Sequence, residues 1–207
     1  MSAELAVLIR IVDDDLTVCE AQSFFLRMAG FDVATYENPK DFLSKDDLSR
    51  PGCMILDVRM PEMTGLELQM EMKRQKIDLP IIFLSAHGDI EMAIDCVQKG
   101  AFNFLVKPPV PEKLLELVEE AVKKNRQDRR QAQYVAQLQA QFETLTPAER
   151  RVAVMIAKGL SNKVVAETLG VSERTVQTQR ANVYAKLECE NAVEVSEFLH
   201  ETESLKA

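Results

Sequence analysis

Over the first 125 positions, short apolar runs alternate with segments whose apolar residues return every three or four positions. The runs predict strands at Ala6–Val12, Phe31–Tyr36, Cys53–Leu56, Ile81–Leu84 and Phe102–Val106. The helical spacings predict helices at Thr17–Met28, Pro39–Lys45, Leu66–Lys73, Ile90–Lys99 and Glu112–Lys124, with Gly30 and Gly100 as stops. Five strand–helix units in a row predict an α/β fold, a parallel sheet with helices on both faces.

The pattern then changes. From Asn125 to Glu143 the chain is rich in Gln, Arg and Ala and has no Gly or Pro, which favours one continuous, stiff helix. Val135, Leu138, Phe142 and Leu145 form one apolar seam, able either to pair two chains or to pack on the neighbouring domain. Beyond it, four short helices are predicted at Pro147–Lys158, Asn162–Leu169, Glu173–Leu187 and Ala192–Leu199. Thr146 and Glu149 make a capping box, Gly159 closes that helix, and Ser161 and Ser172 cap the next two. The tight turn Leu169-Gly170-Val171 gives the helix-turn-helix pattern. Val164, Val165, Leu169, Val171, Val176, Val183 and Leu187 are the expected core, with Arg174, Gln177, Thr178, Arg180, Ala181 and Lys186 exposed. The expected organisation is therefore a domain at 1–125, a helical linker at 126–144 and an all-α domain at 145–207.

Length and composition fit two modest globular domains: 207 residues, 46% hydrophobic, 28% charged, 7 Gly and 8 Pro. The apolar run Leu5–Val12 is broken by Arg10 and followed by three aspartates, too short and too charged for a signal segment or a membrane span, so a cytoplasmic protein is expected. Cys19, Cys53, Cys96 and Cys189 are widely spaced without CxxC pairing and read as inert buried thiols. The net charge of −8 is uneven: residues 1–125 carry −8, residues 146–187 carry +4, and residues 188–207 carry −5. An acidic module joined to a basic one suggests different partners, the second being nucleic acid.

The acidic module also carries candidate chemistry. Asp13, Asp14 and Asp15 follow the first predicted strand, Asp57 ends the third, Ser85 ends the fourth, and Lys107 ends the fifth. In an open α/β sheet the C-terminal strand edge is where ligands bind, so these residues converge on one crevice. Clustered carboxylates repel unless a cation neutralises them, and oxygen ligands with few carboxylates suit Mg²⁺. A carboxylate beside such a cation can accept a phosphoryl group as an acyl phosphate. Asp57 is the candidate nucleophile, with Lys107 as a compact charge for phosphoryl oxygens, Ser85 as a hydroxyl donor and Ala86 leaving room. Asp15 alone reads as a helix N-cap.

IVDDD at 11–15, LDVRMPEMTG at 56–65, FLSAHGD at 83–89 and GAFNFLVKP at 100–108 resemble, in order and spacing, the receivers of two-component response regulators, more closely the FixJ-like subgroup. That resemblance covers residues 1–125 and implies a flavodoxin-like, doubly wound sheet of five parallel strands. It implies Asp57 as phosphoacceptor, Mg²⁺ held by Asp13, Asp14, Asp57 and the Arg59 carbonyl, Lys107 as the phosphate-binding lysine, and Ser85 with Phe104 as the switch pair. Ser85 stands where Thr is commoner, and Pro109 where Phe often follows the Lys-Pro pair. His87 reads as a loop residue that modulates phosphate lifetime. Residues 145–188 are similar to the LuxR-type helix-turn-helix, which implies backbone contacts from Lys163 and Arg174, and a groove-facing set of Gln177, Thr178, Arg180 and Ala181. Gln177 replaces a frequent Lys, and Gln179 a frequent His, so Gln177 could read adenine.

Together these imply a DNA-binding transcription regulator rather than a dedicated enzyme. The implied partners are a sensor histidine kinase, promoter DNA and RNA polymerase. A homodimer is expected on phosphorylation, through the fourth helix and fifth strand of the receiver. Ile94 and Val97 are candidates for that dimer face, and packing onto their own sheet is the alternative. Two other readings stay open: a metal-dependent phosphohydrolase that uses Asp57 covalently, and a receiver whose output domain binds protein.

Overall fold

The computed structural model describes residues 6–86 and 90–204. The chain divides into two compact units, Met1–Arg129 and Arg130–Ala207.

The first unit is a flavodoxin-like α/β fold. Its strands β1 (Leu8–Val12), β2 (Asp32–Tyr36), β3 (Gly52–Asp57), β4 (Ile81–Ser85) and β5 (Asn103–Val106) form a parallel sheet in the order β2-β1-β3-β4-β5. The central strands β1, β3 and β4 are buried along their whole length, which explains why they read as apolar runs, with Arg10 of β1 as the exception. The chain reverses its direction of winding beside β1, so β1 and β3 open a crevice at their C-terminal ends. Helices α1 (Leu16–Met28), α2 (Pro39–Lys45), α3 (Gly65–Arg74), α4 (Ile90–Gln98) and the start of α5 (Pro111–Glu143) connect and follow the strands.

Two apolar cores flank the sheet. One joins Ile9, Ile11 and Ile55 to Leu26 of α1 and to Leu114, Leu117 and Val118 of α5. The other joins Val12, Leu56 and Phe83 to Phe42 of α2, to Leu68 and Met72 of α3, and to Cys96 of α4. Start signals written in the sequence are used: Asn38 caps α2, and Thr64 with Glu67 forms a full capping box on α3.

Arg10 is not a simple interruption of an apolar strand. It is fully buried, with Nε on the Asp46 carboxylate at 3.0 Å and its guanidinium also donating to the carbonyls of Leu8, Asp47 and Arg50. Tyr36 Oη donates to Asp46 at 2.7 Å, closing a buried network that ties β1 and β2 to the end of α2. Burial lowers the Arg10 pKa and raises that of the Tyr36 hydroxyl. At the neighbouring Gly52 a Cβ would lie 1.9 Å from the Leu8 carbonyl oxygen, so the close approach of β1 and β3 requires glycine there.

The second unit contains the end of α5 with α6 (Pro147–Ala157), α7 (Asn162–Leu169), α8 (Glu173–Leu187) and α9 (Ala192–Ser204). Val152, Ile156, Val165, Val176, Val183, Leu187, Val195 and Phe198 make its core, which also takes in Leu138 and Leu145, with Phe142 against it. Leu138, Phe142 and Leu145 of the linker seam thus pack on their own neighbouring helices, while Val135 is half-buried. Two expected core residues are instead exposed: Val164, because α7 turns Val165 and Ala166 inward, and Val171, which lies beyond the end of α7. Helix α9 runs past the expected Leu199 to Ser204, no Gly or Pro standing there to stop it. Likewise α5 is continuous across Lys124–Asn125, where only composition changes.

Candidate functional site

Three strand ends place the first cluster. Asp13 follows β1, Asp57 ends β3, and Lys107 follows β5, its backbone N–H donating to the Ser85 carbonyl at the end of β4 at 2.8 Å. The Lys107 ammonium sits between two carboxylates, 2.5 Å from Asp13 Oδ2 and 2.6 Å from Asp57 Oδ1. Both acids are buried and the lysine is half-buried. The remaining oxygens are held by backbone: Asp13 Oδ1 accepts from the Asp15 N–H at 3.0 Å, and Asp57 Oδ2 from the Arg59 N–H at 2.7 Å.

Burial pushes the Asp13 carboxyl above its ordinary value despite the pull of Lys107. For Lys107 burial acts downward, but the hydrogen bonds and charges of Asp13 and Asp57 outweigh it, so its ammonium is held above the usual lysine value. A cation between two buried carboxylates removes the repulsion that would otherwise make the cluster costly.

Around this triad, Ser85 is buried at the end of β4. Phe104 pairs in register with Phe83, two residues before Ser85, so Ser85 and Phe104 share one face of the sheet, where Phe104 packs on the core. Gly65 opens α3 directly against the site: a Cβ there would lie 2.2 Å from the Asp57 carbonyl oxygen and 3.0 Å from Phe83. In the sequence Gly65 stands only as the last residue of LDVRMPEMTG, since its closeness to Asp57 depends on how α3 packs. Asp15 accepts from the Thr17 and Val18 N–H groups, the N-cap role expected of it. Asp14 and the Arg59 side chain are exposed. His87 lies outside the described residues.

The Asp13 and Asp57 oxygens, here shared by the Lys107 ammonium, are hard donors of the kind that suits a magnesium ion keeping several waters. Among the described residues no three His, Cys, Asp or Glu side chains are gathered for a metal. Cys19 donates to the Asp13 carbonyl at 3.4 Å, and burial pushes its thiol up to about 11, so it carries almost no thiolate near neutral pH. The α4–β5 side exposes Ile94 and Val97, each 50% accessible, together with Val106.

The second candidate surface is α8. Ser172 caps it after Gly170 takes the left-handed conformation, φ 67°, that closes α7. Val176, Val183 and Leu187 face the core, while Arg174, Gln177, Thr178 and Ala181 are exposed at helical spacings of three and four. Lys163 on α7 is also exposed. Two expected surface cations are not. Arg180 is half-buried, donating to Tyr184 Oη at 2.9 Å and to the Asn162 side chain at 3.2 Å. Lys186 is half-buried on the buried Glu149 at 2.7 Å. Their long side chains reach back to these partners, which a face assignment by helical period does not register.

A parallel sheet that gathers acids and a lysine at one edge, on the same chain as a helix-turn-helix unit, is the architecture of a DNA-binding protein under chemical control. Family comparison bears this out. Residues 9–119 match the response regulator receiver domain, and residues 143–199 match the bacterial regulatory proteins of the luxR family. Response regulator protein TodT of Pseudomonas putida is 38% identical over 204 residues, spanning 99% of this chain and 88% of that protein. Transcriptional regulatory protein FixJ of Bradyrhizobium diazoefficiens is 33% identical over 90% of this chain and 91% of its own. The solved structure of response regulator StyR superposes with a TM-score of 0.89 at 35% identity, over 95% of this chain and 99% of that one.

The chain belongs to the response regulators of two-component systems, in the class that joins a receiver to a LuxR-type DNA-binding domain. It is a DNA-binding transcription regulator; phosphorylation and Mg²⁺ are general features of its family, whose receivers answer to sensor kinases and whose LuxR-type domains bind promoter DNA. No helix among the described residues is long and apolar enough to cross a membrane.

Proposed function

We propose that Asp57 is the phosphoacceptor through which a partner histidine kinase controls DNA binding by α8. The observation that carries this reading is the Lys107 ammonium lodged between Asp13 and Asp57 at the strand edge. An Asp57 carboxylate oxygen attacks phosphorus, the bond from phosphorus to the kinase imidazole nitrogen breaks, and the imidazole leaves. Asp13, Asp14, Asp57 and the Arg59 carbonyl are the residues that would hold Mg²⁺, which supplies positive charge for the phosphoryl oxygens.

Lys107 exchanges its contact with Asp57 Oδ1 for a phosphoryl oxygen while keeping Asp13, and the Ser85 hydroxyl donates to a second oxygen. Phe104, on the same face as Ser85, follows the hydroxyl inward, and this repacking changes the α4–β5 surface. Ile94 and Val97 then form part of a homodimer face. Attack by water on the acyl phosphate resets the receiver without any other substrate.

At the output, α8 enters the major groove. Lys163 and Arg174 meet phosphates, and Gln177, Thr178 and Ala181 meet base edges; a Gln–adenine pair supplies roughly 1–3 kcal/mol of discrimination. Arg180 acts chiefly by holding α8 to Asn162 and Tyr184. The setting is the cytoplasm, where the DNA-bound dimer meets RNA polymerase.

The test is full-length Asp57→Asn beside the wild type, with acetyl phosphate, Mg²⁺ and duplex promoter DNA. The wild type takes label and gains DNA affinity, and the variant does neither. Labelling of the variant at full stoichiometry refutes the assignment.

A further inference from the structure

At the opposite edge of the receiver from Asp57, the structure contains a cavity of about 470 Å³ that shares no residue with the phosphorylation site. It lies where β4 and β5 begin, between α3, the turn before β5 and α5, and its apolar wall includes Met72, Ile77, Leu79, Ala101 and Phe102. Its size falls in the range of small-molecule sites.

One lining residue is out of place in an apolar wall. Gln69 of α3 is 6% exposed, and both its amide nitrogen and its amide oxygen are buried without a hydrogen-bond partner. Most buried polar side chains are satisfied, so an amide bare at both ends calls for a specific explanation. A leucine would fit the wall without that desolvation cost.

The cavity's charges have a sign. Lys73, Lys99 and Lys124 line it against Asp78 and Asp128. Asp78 is engaged by Arg129 at 3.0 Å and Asp128 by Lys124 at 2.7 Å. Lys99 is held by Asp95, whereas Lys73 has no ion-pair partner among the described residues.

We propose that this cavity is a binding site for a small, anionic, amphipathic molecule with an amide- or lactam-like edge. On binding, the Gln69 side chain turns its buried amide from the wall toward the cavity, the ligand's donor and acceptor pair with its two ends, the apolar body fills the space beside Met72 and Phe102, and the anionic group meets Lys73. Because the cavity lies where β4 and β5 begin while Asp57 stands at the end of β3, the ligand and the phosphoryl group occupy separate places on the receiver.

The probe is 4-carbamoylbenzoate, with benzoate and benzamide as its two halves, titrated into the full-length protein and followed by amide NMR. The expected result is saturable binding with shifts centred on Gln69 and Gly100–Phe102, about tenfold tighter than for either half. Gln69→Leu is expected to weaken the probe about tenfold while raising the thermal midpoint, because it removes the bare amide. Lys73→Gln, an exposed change, is expected to weaken the probe and benzoate and to leave benzamide unchanged. Shifts outside the cavity, affinity unchanged in Gln69→Leu, or equal affinity for the probe and benzoate would overturn the proposal. If Gln69→Leu does not fold, the Lys73→Gln titration and the half-molecule comparison decide it.

Discussion

In the receiver, the charged side chains at the sheet edge come from three distant strands and hold one another: Lys107 with Asp13 and Asp57. In the helical unit, the charged side chains of a single helix part company: Arg174 stays in solvent, while Arg180 and Lys186 bend back to Tyr184 and Glu149. The contrast separates two kinds of placement. A strand end fixes a short acid within a crevice whatever its neighbours do. A helix face fixes only where a long side chain starts, and packing decides where its charge ends.

The largest expected effect lies inside the receiver but away from the phosphorylation pocket. Asp46→Ala leaves Arg10 buried without its counter-charge and is expected to cost about 3–5 kcal/mol in urea unfolding of the receiver. A loss below about 1 kcal/mol would mean that the carbonyls of Leu8, Asp47 and Arg50 suffice for Arg10.

Gly65→Ala comes next: its Cβ must displace the Asp57 backbone, costing about 1–3 kcal/mol and slowing labelling of Asp57 by a phosphodonor. Wild-type labelling rates would show that the pocket tolerates the shift.

In the helical unit, Glu149 caps α6 and pairs with Lys186, which with the Thr146 N–H holds its carboxyl down at about 2, below the 4.5 of a free Glu. The folded pKa is the lower one, so this stabilisation is complete above 4.5 and is lost as pH falls from 4.5 toward 2. Glu149→Gln is expected to flatten that acid limb in circular dichroism titrations; an unchanged limb would assign it to other groups.

The smallest effects separate the two roles on α8. Gln177→Ala should leave stability within about 0.5 kcal/mol and lower base discrimination. Arg180→Ala should cost about 1 kcal/mol of stability. Lys163→Ala should reduce the salt slope of DNA binding by about one unit. Equal stability losses for Gln177 and Arg180 would erase the distinction drawn between them.

These particulars also mark what the sequence made legible. Asp13, Asp57, Ser85 and Lys107 could be placed in advance because buried parallel strands read as apolar runs and ligands gather at their ends. The caps Asp15, Thr146, Ser161 and Ser172 were legible for the same local reason. Arg10 with Asp46 was not, because the two are 36 residues apart and only the return of the chain after α2 brings them together. A charge in the middle of an otherwise apolar central strand was the available sign. The true length of α9, the exposure of Val164 and Val171, and the vicinity of Gly65 to Asp57 all depend on packing between helices, which periodicity within one helix leaves open.

The claim that Asp57 carries the phosphoryl group is tested most directly by position. After incubation with acetyl phosphate and Mg²⁺, borohydride reduction converts an aspartyl phosphate to homoserine, which peptide mass spectrometry locates. The account predicts homoserine at position 57 alone, and none when the metal is chelated. Homoserine at position 13, 14 or 15, or equal conversion without Mg²⁺, would contradict it.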